Sequence, residues 1–186
     1  MVNARTRQNH PCEILGDLAF AVAAGKEIES LKVVFVGEAT NLLHSWCEAA
    51  AVLPIHLTQV CPPGFALDPL WAQSLATDFV GVVTTSNDLR CVADADVIYT
   101  DCWPVRPSPH EQHEVRAAFE PLQIDDRILD TAPPDVLFLP CPPVTRGEEV
   151  SAGAMRSPKC RVREAKNWLI AAQNALLTVI VQSGVK

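Results

Sequence analysis

Five short runs rich in β-branched residues mark the chain: 32–36 (KVVFV), 55–60 (IHLTQV), 80–85 (VGVVTT), 97–100 (VIYT) and 136–139 (VLFL). The first, fourth and fifth are apolar almost throughout, the pattern of a strand covered on both faces. Helical spacing appears between them. Over 41–52 the apolar positions Leu42, Leu43, Trp46, Ala49, Ala50 and Leu53 recur at intervals of three and four, which draws a stripe along one helix face. Segments 70–78 and 110–119 show a shorter version of the same pattern, and a final helix is expected over 163–181. Its stripe is Leu169, Ala172, Leu176 and Val179–Ile180, and Trp168, Ala171, Ala175 and Val181 make other sides apolar too. Such a helix is expected to be buried on more than one face, which implies a second body beside the sheet.

Strand alternating with helix predicts an α/β fold: a Rossmann-like parallel sheet of about five strands with helices on both faces. Sheets of this kind place ligands beyond the carboxyl ends of their strands. The loops to inspect are therefore 37–41 (GEATN), 61–65 (CPPGF), 101–105 (DCWPV) and 140–147 (PCPPVTRG). Much of the chain's proline sits in these loops, where it fixes φ and removes backbone donors.

Composition narrows the function classes. The 186 residues carry a net charge of −7 and are 48% hydrophobic, which describes a globular chain and opposes a nucleic-acid-binding face. The seven cysteines are odd in number and contain no C-x-x-C pair, so neither a disulfide framework nor a zinc site is expected, and reduced thiols in the cytoplasm fit better. The first sixteen residues have no apolar core of a secretory signal. The apolar stretch 168–181 is too short to span a bilayer, so no membrane partner is expected.

Several positions are candidates for chemistry. Gly37 follows a strand, but G-x-G-x-x-G is absent, which argues against a dinucleotide cofactor. Asn41 either caps its helix or offers an amide to a ligand carboxylate at the helix N-terminus. Asp101, ending a strand, either caps the next helix or binds a ligand ammonium. The string HEQHE at 110–114 has histidines three apart, where the zinc-protease pattern needs four, so a solvated first helical turn is expected and no metal. Cys141 has a proline before it and two after it at a strand end. It is either a buried structural thiol or part of a rigid ligand-facing floor, and a nucleophilic role would need a base that sequence alone does not assign.

Seven strings, in order, resemble ornithine carbamoyltransferases. HPCEILGDLAF is similar to the family's His-Pro-x-Gln-x-x-x-Asp, VFVGEATNLLHSWCEAAA to its Val-Gly-Asp-x-x-Asn-x-x-x-Ser, and PPGFALDP to its PPGYEPDP. ADADVIYTDCW is similar to GADVVYTDVW, FEPLQIDDRIL to FxPYQV, PCPPVTRGEEV to HCLPAHRGEEV, and EAKNWLIAAQNALL to EAENRLHAQKALL. The likeness runs from about His10 to near the end of the chain and lies with the amino-acid-binding half of the family. The aspartate branch, which lacks the Cys-x-Pro loop, is a poorer match.

The resemblance implies roles. His10 matches the histidine that hydrogen-bonds the carbamoyl carbonyl, Asn41 the contact to the ornithine carboxylate, and Asp101 the holder of the α-amino group. Cys141 matches the cysteine beside the attacking amine, and Arg146 the arginine of the same motif, expected on the substrate side. Departures are equally specific. Glu13 stands for the family's Gln, Val105-Arg106-Pro107 for Ser-Met-Gly, Pro140 and Pro142 for the His and Leu flanking the cysteine, and Trp168 for an arginine that reaches carbamoyl phosphate. The family's Ser-x-Thr-Arg-Thr phosphate motif is not in these residues. The expectation is a single domain, 1–186, without the N-terminal carbamoyl-phosphate domain, with no cofactor, and with no carbamoyl transfer of its own. It is expected to bind a small amino acid such as ornithine and to form a homo-oligomer through its N- and C-terminal helices. The alternatives are one chain of a split transferase, or a non-catalytic interaction protein.

Overall fold

The computed structural model describes Asn3, residues 6–75 and residues 79–184. Five strands form one sheet: β1 (Lys32–Val36), β2 (His56–Val60), β3 (Val82–Ser86), β4 (Val97–Thr100) and β5 (Leu137–Pro140). Their order is β3-β2-β1-β4-β5, and every pairing is parallel. The α/β expectation therefore holds. The third run is displaced, because the strand starts at Val82 and not at 80. Gly81 causes this: a Cβ there would lie 2.3 Å from the Ile55 carbonyl oxygen, and its own N–H donates to Ala50 O at 2.9 Å. The chain turns tightly under β2 before it can pair.

The alternation within β1 divides the core. Val33 and Phe35 join the cluster that holds Leu43, Trp46, Tyr99 and Leu139, whereas Val34 and Val36 join Ile98, Ile124, Phe138 and Val150 on the other side. The first side is covered by α1 (Pro11–Ala23), α2 (Asn41–Val52) and α6 (Val162–Gln182). The second is covered by irregular segments and the short α5 (Asp126–Thr131). The helix expected at 70–78 is α3, Pro69–Leu75, and 76–78 lie outside the described residues. That expected at 110–119 is α4, Pro109–Phe119.

Within this chain α6 is covered on one face: only Ala165 and Ala172 are buried along it. That one contact is close. Gly16 on α1 lies so near α6 that a Cβ there would stand 3.0 Å from the Leu169 Cα. Replacing Gly16 with Val pushes backbone against backbone, which neighbouring rotamers do not relieve. Gly16→Val is therefore expected to lose about 1–3 kcal/mol of stability, read as a lower urea midpoint with an unchanged slope.

Candidate functional site

Beyond β1 the chain moves outward to β2 and β3, then returns to β4 on the opposite side. The crevice between the carboxyl ends of β1 and β4 is the switch point where parallel sheets hold ligands. Loops 37–40 and 101–108 flank it, and the loop after β5 adjoins it.

His10 is the residue immediately before α1 and is 5% exposed. Its backbone N–H donates to Ser45 Oγ at 2.7 Å. Its ring bridges two side chains, with Nδ1 3.1 Å from Glu13 Oε2 and Nε2 3.1 Å from Asn41 Nδ2. An amide nitrogen only donates, so Nε2 is the acceptor and Nδ1 carries the proton toward Glu13. Asn41 Nδ2 also donates to Thr6 O at 3.3 Å. Asn41 is the first residue of α2, and Thr40 is the residue before it. The amide donors of Asn41 are thus engaged within the chain, and its Oδ1 has no partner among the described contacts.

From Glu13 the network continues inward. Its Oε1 accepts from Lys166 Nζ at 2.8 Å and from Cys141 Sγ at 3.5 Å. Lys166 also donates to Asp17, at 3.0 and 3.2 Å. One ammonium thus faces two carboxylates, and the deeper carboxylate bears the larger desolvation cost. Asp17, whose side chain is 1% exposed, is pushed up to about 6 by burial, against the pull of Lys166. Burial raises Glu13 as well, but Lys166 outweighs this and holds it below the usual carboxylate range. Burial, and then the Glu13 charge, drive the Cys141 thiol far above its ordinary value. At neutral pH Cys141 is a protonated donor and not a thiolate nucleophile.

Asp101 does not cap a helix, because the next one begins only at Pro109. Its Oδ1 accepts from the Cys102 N–H at 2.8 Å, and burial raises its pKa, with His10 and Glu13 near enough to act on it electrostatically. Cys102 Sγ donates to Pro143 O at 2.9 Å, tying this loop to the one after β5. Across the crevice Arg106 reaches Glu38 at 3.3 Å and lies over Phe65, 5.8 Å from its ring centre.

His10, Asn41 and Cys141 are therefore joined through Glu13, and Asp101 adjoins them. Arg146 is not brought in: it is exposed on the 141–150 loop, and its side chain makes no hydrogen bond or ion pair among the described residues. Trp168 points elsewhere, into a groove of about 670 Å³ beside Phe20, Leu137 and Arg161 at the amino end of β5. His110 and His113 are exposed on α4, His110 lying 3.6 Å from Glu114. Among the described residues no group of three or more metal-binding side chains is assembled. The sequence reading missed Lys166. A signal was present, since the family string has Glu at that position and Gln at the position of Glu13. The two departures together exchange charge between touching residues.

Asp17 binds its proton more tightly in the folded chain than in the unfolded one. Its contribution to stability is therefore full below its ordinary value of 3.8 and declines as pH rises to about 6. Measured by urea unfolding, the wild type is expected to lose about 2–3 kcal/mol relative to Asp17→Asn between pH 4 and 6. Above that range the two curves should run parallel.

A family model described as "Aspartate/ornithine carbamoyltransferase, Asp/Orn binding domain" matches residues 29–180. The ornithine carbamoyltransferase of Chlorobaculum tepidum is 31% identical over 186 residues, which is 100% of this chain and 55% of that protein. That of Geobacillus stearothermophilus is 35% identical over 185 residues, 96% of this chain and 59% of that protein. The solved ornithine carbamoyltransferase of Pyrococcus furiosus superposes with a TM-score of 0.83 at 32% identity, covering 98% of this chain and 59% of that one. The chain thus spans somewhat more than half the length of the curated relatives it matches. Fold, ordered motifs and these matches agree: the chain belongs to the aspartate/ornithine carbamoyltransferase family, through its Asp/Orn-binding domain.

Proposed function

We propose that residues 1–186 form one amino-acid-binding domain that holds a small diamino acid such as ornithine at the β1/β4 crevice and does not transfer a carbamoyl group unaided. The observation that carries this reading is the state of the cations: the one ammonium beside Cys141 among the described residues, Lys166, is engaged by Glu13 and Asp17, and Trp168, in the place of the family's arginine, lines a groove at the amino end of β5. The amine side is better supplied. Asp101 adjoins the crevice, and the buried hydroxyl of Thr100 at the same rim lacks a partner among the described residues. Buried polar groups left unpaired are a mark of a site that awaits a ligand.

In this reading Asp101 pairs with the ligand's α-ammonium and Asn41 Oδ1 takes a further N–H. Cys141, as a neutral thiol, packs against the side-chain amine without attacking anything. His10 is held in one tautomer by Glu13 and Asn41. Arg146 would join only if the 141–150 loop closed. Catalysis of amine attack on a carbamoyl carbonyl depends on positioned charge for the developing oxyanion and the leaving phosphate, and here Lys166 is already paired and a tryptophan replaces the family's arginine. The abundance of unpaired thiols suits a reducing compartment such as the cytoplasm. A second reading, one chain of a split transferase, is favoured by the greater length of the relatives.

Titration with L-ornithine, followed by calorimetry and thermal unfolding, tests the main reading. Saturation at about a hundredfold over Kd should stabilise the fold by about 2.7 kcal/mol. Asp101→Asn should remove the shift, and ornithine with carbamoyl phosphate should give no citrulline. Absence of any shift with ornithine or other amino acids at millimolar concentration would overturn the binding proposal. Citrulline formed by the pure chain would overturn the second half of it.

A further inference from the structure

The loop after β4 carries a guanidinium that the site described above leaves unused. Arg106 stands between Pro104 and Pro107, and three features separate it from an ordinary surface arginine. Its backbone is pinned: its N–H donates to Gln112 Oε1 at 2.7 Å, and Gln112 Nε2 donates in turn to Pro104 O at 3.2 Å. Its head is propped from below. The guanidinium lies over Phe65, 5.8 Å from the ring centre, and Phe65 stands edge-on to Phe119 with 4.8 Å between ring centres. Phe119 is buried with Trp103 and Val115 in a small cluster apart from the two faces of the sheet. A planar cation stacked on a ring keeps its N–H edges free for a partner lying in its own plane.

The third feature is how little claims that edge. Charge-assisted N–H to carboxylate bonds run at about 2.7–2.9 Å, and guanidinium–carboxylate pairs are frequently two-pronged. Arg106 meets Glu38 through one atom pair at 3.3 Å, and its other contact, from Nη1 to Val105 O, is 3.4 Å. Most of its five N–H donors are therefore unclaimed among the described contacts. Each loop is also fastened without this pair. Gly37 N–H donates to Val60 O, Gln59 Nε2 to Gly37 O, and Ala39 N–H to Phe65 O, while Gln112 holds the loop of Arg106. Glu111 and Glu114 line a groove on the α4 side of Arg106 and make no ion pair with it among the described residues.

We propose that Arg106 receives the carboxylate of the bound amino acid, which takes the place of Glu38 on the guanidinium. The assignment rests on the reading of the crevice as an amino-acid site and supplies what that reading leaves open, since Asp101 answers an ammonium and no group assigned there answers a carboxylate. Among the described residues the other cations are not placed for it: Lys166 is engaged by Glu13 and Asp17, and Arg146 is exposed on the 141–150 loop. Glu38 is a partner that can be given up. Its side chain is 26% exposed, so once displaced it turns to water at little cost. The consequence is selection. An amino acid offers the guanidinium a forked acceptor, whereas a diamine brings only a further positive charge toward it.

The test is calorimetric titration of the full chain with L-ornithine and with 1,4-diaminobutane, which keeps both amines and lacks the carboxylate. The wild type should bind L-ornithine about tenfold more tightly. Arg106→Gln should weaken L-ornithine about tenfold, the loss of one charged hydrogen-bonded contact. It should not weaken the diamine, whose binding also reports that the variant is folded. Glu38→Gln removes the competitor and should tighten L-ornithine about threefold, but not the diamine. Equal wild-type affinity for the two compounds overturns the proposal. So does wild-type affinity for L-ornithine in Arg106→Gln, or a Glu38→Gln variant that binds it no better. In each of those cases, binding that Asp101→Asn abolishes leaves the amino-acid site itself standing. Failure of the wild type to bind either compound at millimolar concentration overturns both. Should Arg106→Gln lose its circular dichroism, the wild-type preference and the Glu38→Gln variant decide.

Discussion

A single ammonium group shared between two helices sets much of what this molecule can do. Lys166 extends from α6 to Glu13 and Asp17 on α1, and the same Glu13 orients His10 and accepts from Cys141. Without Lys166, two carboxylates would remain largely desolvated and unpaired, a situation costing several kcal/mol in comparable buried pairs. The cluster therefore ties α6 to α1. It also bears on the charge state of the candidate site, holding Glu13 ionised, and the Glu13 charge, with burial, keeps the Cys141 thiol protonated.

The architecture around this cluster follows from burial. A parallel sheet needs both faces covered, and β1 and β4 supply side chains to two clusters in strict alternation. The loops at the carboxyl ends of the strands carry Asp101, Cys141 and the segment before Asn41. The site is thus held on rigid supports, with prolines on either side of Cys141 limiting how far its loop can shift.

Much of the fold was legible because continuous apolar strands and striped helices leave periodic traces. All five strands lie where β-branched runs occur, and boundaries moved where a contact outside the run decided them, as Gly81 does against Ile55 O. Candidate site residues at strand ends were legible, since topology gathers Asn41, Asp101 and Cys141 at one rim, whereas His10, before α1, was found only through the family resemblance. Electrostatics was not legible in the same way. Lys166 looks like one more surface lysine until α6 is laid antiparallel on α1, and Asp17 looks ordinary until its 1% exposure is known. What covers the rest of α6 was not legible either, because a sequence shows that a helix is apolar around most of its circumference but not which body covers it.

The ion pair between Arg106 and Glu38 joins the two loops that flank the crevice, and both side chains remain partly in water, 37% and 26% exposed. An ion pair so placed adds less than about 1 kcal/mol to stability and weakens with salt. Dissolved ions therefore loosen the tie between loops 37–40 and 101–108 while leaving the stability of the whole fold almost untouched.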